Sequence, residues 1–305
     1  IERGLREGLT RADRAAAAAR PALRHLLAGA DAMLLSDETV ARVRGLLGDA
    51  ARQLLAAQAE AAALADAAGF AAERAPALAA RMADNEAWLG HVHALALEGE
   101  LLERLRLTRG LDPVLTPRIE RLAASGEALS AALATAVLAA QARFVHHHRR
   151  RELALCDLPD ELYDTALALL GQGGPPDAAV DAEQQLRVVR ADSRTRPALL
   201  EGFALLRGGE GLLEIDNAGL SLFASALAAA TGRQREATIV ALAASSPDRA
   251  ALMLCAAGLS AEQIEAQMAW LQPEPRVPHG LAELPAERAA ALLDGAADEA
   301  AGVIG

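Results

Sequence analysis

The sequence contains no lysine, so all 30 of its basic side chains are arginines. Aromatic residues make up only 2% of the 305 residues, and there are just two cysteines, Cys156 and Cys255. Two cysteines cannot form a disulfide framework, and neither lies in a Cys-x-x-Cys pair. We therefore expect reduced thiols and a cytoplasmic location.

The residues that are abundant favour helices. Hydrophobic residues form 52% of the chain, and alanine, leucine and valine supply most of them. Alanine and leucine lose little or no side-chain entropy in a helix. Strands prefer β-branched and aromatic side chains, and no segment is rich in these. The composition predicts an all-α fold, with a long-helix bundle followed by an array of shorter stacked helices.

The chain carries a formal net charge of −11. Binding to nucleic acid or to an anionic membrane surface without sequence preference needs a positive potential, so we expect neither. The longest uncharged stretches, Asn217–Gly232 and Ala128–Ala142, are shorter than the roughly 20 apolar residues of a membrane span. We therefore predict no membrane span, and no signal peptide is visible.

Residues 1–170 have the pattern of an N-terminal helical bundle. From Val40, apolar or small residues recur every three or four positions, as on the seam of a packed helix: they are Val43, Leu47, Ala50, Leu54, Ala57, Ala61, Leu64 and Ala68. Ser36 is a suitable N-cap for this helix, and we expect Gly69 to end it. Pro76 is expected to begin the next helix, and Thr116 followed by Pro117 a later one.

Residues 177–305 form the second predicted domain, after the Gly-Gln-Gly-Gly-Pro-Pro breaker at 171–176. Helices here are expected to be short, because caps and breakers recur about every 15 residues. Asn217 is predicted to cap one helix and Gly232 to end it. Ser260 and Gln263 have the spacing of a capping box.

The segment Arg196–Leu271 has the pattern of consecutive short helices. It contains the stretches RPALLEGFALLRGG, LSLFASALAAATG and REATIVALAASSPDRAALMLCAAGLS, followed by one more amphipathic helix. In its leucines, alanines and glycines this segment resembles the C-terminal part of a bacterial family of uncharacterised helical proteins, the domain of unknown function numbered 2336. Ser260 stands where that family usually has proline. The resemblance implies an all-α bacterial protein without an assigned activity, and it supplies no catalytic residues.

The most conspicuous polar cluster is a run of three histidines and three arginines: His146, His147, His148, Arg149, Arg150 and Arg151. Successive residues of a helix point about 100° apart, so three adjacent histidines cannot share one face. A metal site would need further ligands such as His91 or His93, and we predict none. The run is typical of a cationic helix C-terminus; the alternatives are a surface that docks an anion or a partner, and a phospho-acceptor helix.

A second basic run consists of Arg187, Arg190, Arg194 and Arg196. It is compatible with a solvated connecting segment, and also with a docking strip for an acidic partner or a phosphorylated group. The outline of a helix-turn-helix spans Arg249–Leu271, but its second helix carries Glu262 and Glu265 and no positive charge. Because DNA-reading helices present basic or amide side chains, we predict a structural helix pair.

No nucleophile elbow, phosphate-binding glycine loop, zinc-protease motif or calcium-binding loop occurs in the sequence. We predict a non-enzymatic interaction or regulatory module without a cofactor, which binds another protein and acts in signalling. One alternative is a helical enzyme, or a ligand- or metal-binding protein, with a pocket between bundle helices. Another is a histidine phosphotransfer bundle, and self-association into a homo-oligomer stays open.

Overall fold

In a computed structural model of the chain, the described residues are 4–10, 36–171, 177–191, 194–205, 211–244, 247–272 and 280–302. All regular structure in these ranges is helical and none is a strand, which confirms the all-α class. The predicted breaker at 171–176 lies mostly outside the described residues.

The helices are, in chain order, α1 (4–10), α2 (Asp37–Ala61), α3 (Ala67–Ala83), α4 (Glu86–Arg109), α5 (Pro117–Ala123), α6 (Ala128–Arg150), α7 (Asp160–Leu167), α8 (Asp177–Ala191), α9 (Arg196–Ala204), α10 (Ile215–Ala218), α11 (Leu220–Thr231), α12 (Arg235–Ala243), α13 (Asp248–Ala256), α14 (Ala261–Leu271) and α15 (Ala286–Gly302). Short 3₁₀ turns lie at Leu155–Asp157 and Leu281–Glu283.

The chain divides into two compact units that alternate along the sequence. Unit 1 comprises Ile1–Pro21, Leu97–Thr135 and Leu200–Gly305, and unit 2 comprises Ala22–Ala96 and Ala136–Leu199. This division differs from the predicted domains 1–170 and 177–305, whose boundary falls inside unit 2. The physical reason is that α2 packs on α8, which follows the supposed linker, as well as on its neighbour α3.

In unit 2, helix α2 begins where the sequence predicted but ends earlier than predicted. The Ser36 hydroxyl caps the helix by accepting a hydrogen bond from the Thr39 amide at 3.1 Å, and the predicted seam residues from Val43 to Leu54 are buried. The helix nevertheless ends at Ala61, not at Gly69. The Asp66 carboxylate accepts from the Gly69 amide at 2.8 Å, which makes this glycine part of the first turn of α3.

The predicted role of Pro76 is also wrong, because it lies inside α3 and does not begin a helix. The predicted start at Thr116 and Pro117 is confirmed, since the Thr116 hydroxyl accepts from the Ile119 amide at 3.4 Å. The helix that begins there is short. It ends at Ala123, and α6 begins at Ala128.

Unit 1 is built around α11, whose residues Leu220–Ala228 are all buried. A helix that is apolar on every side belongs in a core. Gly232 ends it in the left-handed conformation, as predicted, but Gly219 and not Asn217 precedes it. The Ser260–Gln263 capping box is confirmed at the start of α14, which packs on α13.

Candidate functional site

The C-terminal half of α6, residues 136–150, lies in unit 2 and has two chemically different faces. Its buried face includes Gln141 and His148, seven positions apart and therefore on one side of the helix. Its exposed face carries Arg143, His146 and Arg150, at spacings of three and four. The three adjacent histidines therefore lie in different environments, with His146 exposed and His148 buried.

His148 is part of the packing between elements of unit 2. Its Nε2 lies 2.6 Å from Arg42 Nη1, and its side chain is only 7% exposed. A guanidinium can only donate, so Nε2 is the acceptor and the neutral ring carries its proton on Nδ1. Arg42 also donates to Glu38 at 2.6 Å. His148 therefore links α6 to α2 and is not placed to dock a partner.

Arg196 is likewise buried, at 3% exposure. Its Nε donates to Gln141 Oε1 at 3.0 Å, and its guanidinium lies 3.8 Å from the centre of the Phe144 ring. Its backbone amide donates to Asp157 Oδ1 at 2.9 Å. Cation–π contact and hydrogen bonds together give this buried cation an internal role.

Two further arginines of the second run are engaged within unit 2. Arg190 donates to the Leu158 carbonyl at 2.7 Å, and its guanidinium lies 4.2 Å from the Tyr163 ring centre. Arg187 forms ion pairs at 3.0 Å with Asp164 and with Glu183. Only Arg194 of this run is exposed without an ion pair among the described residues. The predicted docking strip is therefore not one continuous surface.

Glu152 contacts two basic side chains, Arg150 and His147, at the end of α6. Its carboxylate accepts from Arg150 Nε at 2.7 Å and lies 3.2 Å from His147 Nδ1, an ion pair when the imidazole is protonated. The hydrogen bond from Arg150 holds the pKa of Glu152 below its ordinary value. Glu152 thus stays ionised in mildly acid solution and neutralises part of this helix end.

Arg151 turns the chain out of α6 with a positive φ of 57°. A Cβ added to Gly45 would lie 2.8 Å from the Arg151 Cβ, closer than real Cβ contacts allow. Glycine at position 45 therefore permits the end of α6 to approach α2 closely. The Arg151 side chain itself is exposed.

We call Arg143, His146, Arg149 and Arg150 the basic face. All four are exposed, and three of them, Arg143, His146 and Arg149, form no ion pair with any residue that the structure describes. Arg143 is the member that the sequence prediction missed. The available signal was its spacing, three residues before His146 and seven before Arg150, which places it on their side of the helix.

The two other singled-out histidines, His91 and His93, are buried in α4, in its unit 2 portion. Across the described ranges, no three His, Cys, Asp or Glu side chains are grouped closely enough to hold a metal ion. The phosphotransfer alternative requires an exposed imidazole, which His146 provides and the buried His148 does not.

Both cysteines are expected to react slowly with iodoacetamide. Burial, with the adjacent Asp157, raises the pKa of the Cys156 thiol. Burial also raises the pKa of Cys255, whose Sγ donates to the Leu284 carbonyl at 3.3 Å. Since the thiolate is the reactive form, alkylation followed by mass spectrometry should be at least about tenfold slower than for an unfolded cysteine peptide. In urea, both thiols should react at the rate of the peptide. Reaction of either thiol at that rate in the native protein would contradict the slow reaction expected here.

Helix α6 is the one described helix long and apolar enough to cross a membrane on length and composition alone. The uncharged stretch ends at Ala142, but the helix continues to Arg150. The helix is therefore long enough to cross a membrane, although the uncharged stretch is too short. Of its most apolar 18-residue window, 28% is buried. Core helices of proteins outside membranes pass the same test of length and composition, so the absence of a span stays a prediction.

No protein-family model, curated protein or solved structure matches this chain. The resemblance of Arg196–Leu271 to the uncharacterised bacterial family therefore stays a prediction. Helices α9 to α14 cover that segment.

Proposed function

We propose that this protein is a non-enzymatic helical interaction module, which binds another protein in a regulatory or signalling role. The observation that supports this is the basic face of α6. In a chain of net charge −11, it presents cations to solvent, and three of them form no ion pair with a described residue. Neighbouring cations of the same two runs, such as Arg190 and Arg196, are instead held by internal partners.

Helix stability alone does not favour this arrangement. Cations near a helix C-terminus interact well with the helix dipole, but the effect fades beyond the last turn. Arg143 lies seven residues, about two turns, before the end of α6 at Arg150. The helix dipole therefore does not account for the exposed Arg143, whereas an acidic surface on a partner would give the exposed arginines the ion pairs that the described residues do not supply.

The test is affinity capture from the native-source lysate with three immobilised proteins. Wild type is expected to retain a specific protein at near-stoichiometric yield. The double variant Arg143→Glu/Arg149→Glu should lose it, because both exposed cations become repulsive to the same partner. The matched control, Arg6→Glu/Arg74→Glu, changes the net charge equally at exposed arginines elsewhere and should retain it.

Circular dichroism of all three proteins should show the same helix content, since every substituted side chain is exposed. Equal capture by the wild type and the Arg143→Glu/Arg149→Glu variant would show that the basic face is not the docking surface. Capture of no specific protein by the wild type would count against an interaction module altogether.

A further inference from the structure

The size of the basic face limits what it can bind. Arg143 and Arg150 are seven residues apart, which corresponds to about 10 Å along the helix axis. This length matches about two turns of a partner helix or about three residues of an extended strand. A short segment can therefore meet Arg143, His146 and Arg150, which share one side of the helix, and reach Arg149, which lies at the border of that side next to Arg150.

The arginines of this face have the donors that carboxylates need. Arg143 and Arg149 have no ion-pair partner within the described part of the chain, so each can offer its planar fork to a carboxylate. Arg150 contacts Glu152 through Nε, and its two terminal nitrogens make no hydrogen bond with any described residue. His146 adds an imidazole N–H donor between them.

The rest of the chain argues against a large polyanion. Asp and Glu outnumber the basic residues by 41 to 30, and Glu152 borders the basic face directly. A DNA duplex or an anionic bilayer would reach far beyond about 8 Å, the screening length in physiological salt, and would meet this acidic surface. A short acidic segment stays inside the basic face and avoids that repulsion.

We infer that the basic face binds an acidic segment of a partner protein, with glutamate or aspartate side chains spaced to contact Arg143, Arg149 and Arg150. This inference rests on the proposed function and adds the chemistry of the partner. Carboxylates on the segment accept hydrogen bonds from the guanidinium groups and from the ring N–H of His146.

The experiment measures fluorescence anisotropy of a labelled peptide of about ten residues in which glutamate alternates with alanine, a length that covers the basic face. A second peptide carries glutamine in place of glutamate. Wild-type protein is expected to bind the glutamate peptide and not the glutamine peptide. Its affinity for the glutamate peptide should fall as salt is raised from about 0.05 to 0.15 M. Arg143→Glu/Arg149→Glu should bind at least about tenfold more weakly, with Arg6→Glu/Arg74→Glu unchanged.

Four results would overturn the inference. Equal binding of both peptides would show that charge is not read, and an unchanged affinity of the Arg143→Glu/Arg149→Glu variant would place the peptide elsewhere. Tighter binding of mixed duplex DNA or phosphatidylserine vesicles, lost in that variant, would assign the face to a different anion. If lysate capture depends on Arg143 and Arg149 but the glutamate peptide does not bind, the proposed function survives and the inference about the partner fails.

Discussion

Replacing Gly219 with alanine is expected to lower the free energy of unfolding of unit 1 by about 4 kcal/mol. Gly219 has φ 74° and ψ 161°, a backbone conformation that essentially only glycine adopts. A Cβ at this position would also lie 2.4 Å from Thr116 Cγ2. Thr116 is buried and caps α5 through its hydroxyl, so it cannot move aside without releasing that helix.

Gly232 provides the matched control, because it lies at the other end of the same helix, α11. Its φ is also positive, at 63°, but nothing lies within 4 Å of an added Cβ. Gly232→Ala should therefore cost only the backbone strain, about 1–2 kcal/mol. Urea denaturation followed by circular dichroism gives both values. Equal losses would show that the contact with Thr116 is relieved by a small shift.

Replacing Glu98 with leucine is expected to cost about 3–5 kcal/mol of unfolding free energy. Glu98 is fully buried in the unit 1 half of α4 and accepts two hydrogen bonds from Arg235, at 2.7 and 2.9 Å. Ser221 donates to the same carboxylate at 2.7 Å. Burial alone lowers the pKa of Arg235, but the ion pair with Glu98 outweighs it and leaves that pKa raised. Without Glu98, the guanidinium would stay charged in a buried site.

The double variant Glu98→Leu/Arg235→Met separates the missing ion pair from a general packing defect. If the loss in Glu98→Leu comes from the buried charge, removing that charge as well should recover most of it. The measurement is the free energy of unfolding of the two single variants and the double variant, taken as a cycle. Additive losses in the double variant would mean that the two residues are not energetically coupled.

The seam of α2 was predictable from the sequence, whereas the end of that helix was not. Val43, Leu47 and Leu54 repeat at a helical period, and burial follows the period directly. Gly69 and Pro76 are general signals for helix ends and starts, but the side chain that decides is Asp66, which captures the Gly69 amide. One capping hydrogen bond places the glycine at the beginning of a helix instead of at its end.

Of the candidate site, the sequence supplied the basic runs but not the direction of each side chain. His148 and Arg196 are withdrawn from the surface by Arg42, 106 residues away in the chain, and by Gln141, 55 residues away. Partners so distant leave no local pattern. The helical period did predict correctly that the three histidines separate. It could also have added Arg143 to His146 and Arg150, since that inference needs only spacing.

The alternation of the two units sets an order for their completion on the ribosome. The first large segment of unit 2 ends at Ala96, but the unit also requires residues as late as Leu199. Domains generally fold as their chain is synthesised from the N-terminus. Here α2 must emerge well before its packing partner α8 exists, and the whole segment Leu97–Thr135 of unit 1 is made in between. Neither unit can be isolated by a single proteolytic cut or a simple truncation, and a nascent chain halted before Asp177 would expose the apolar surface of α2 that α8 covers.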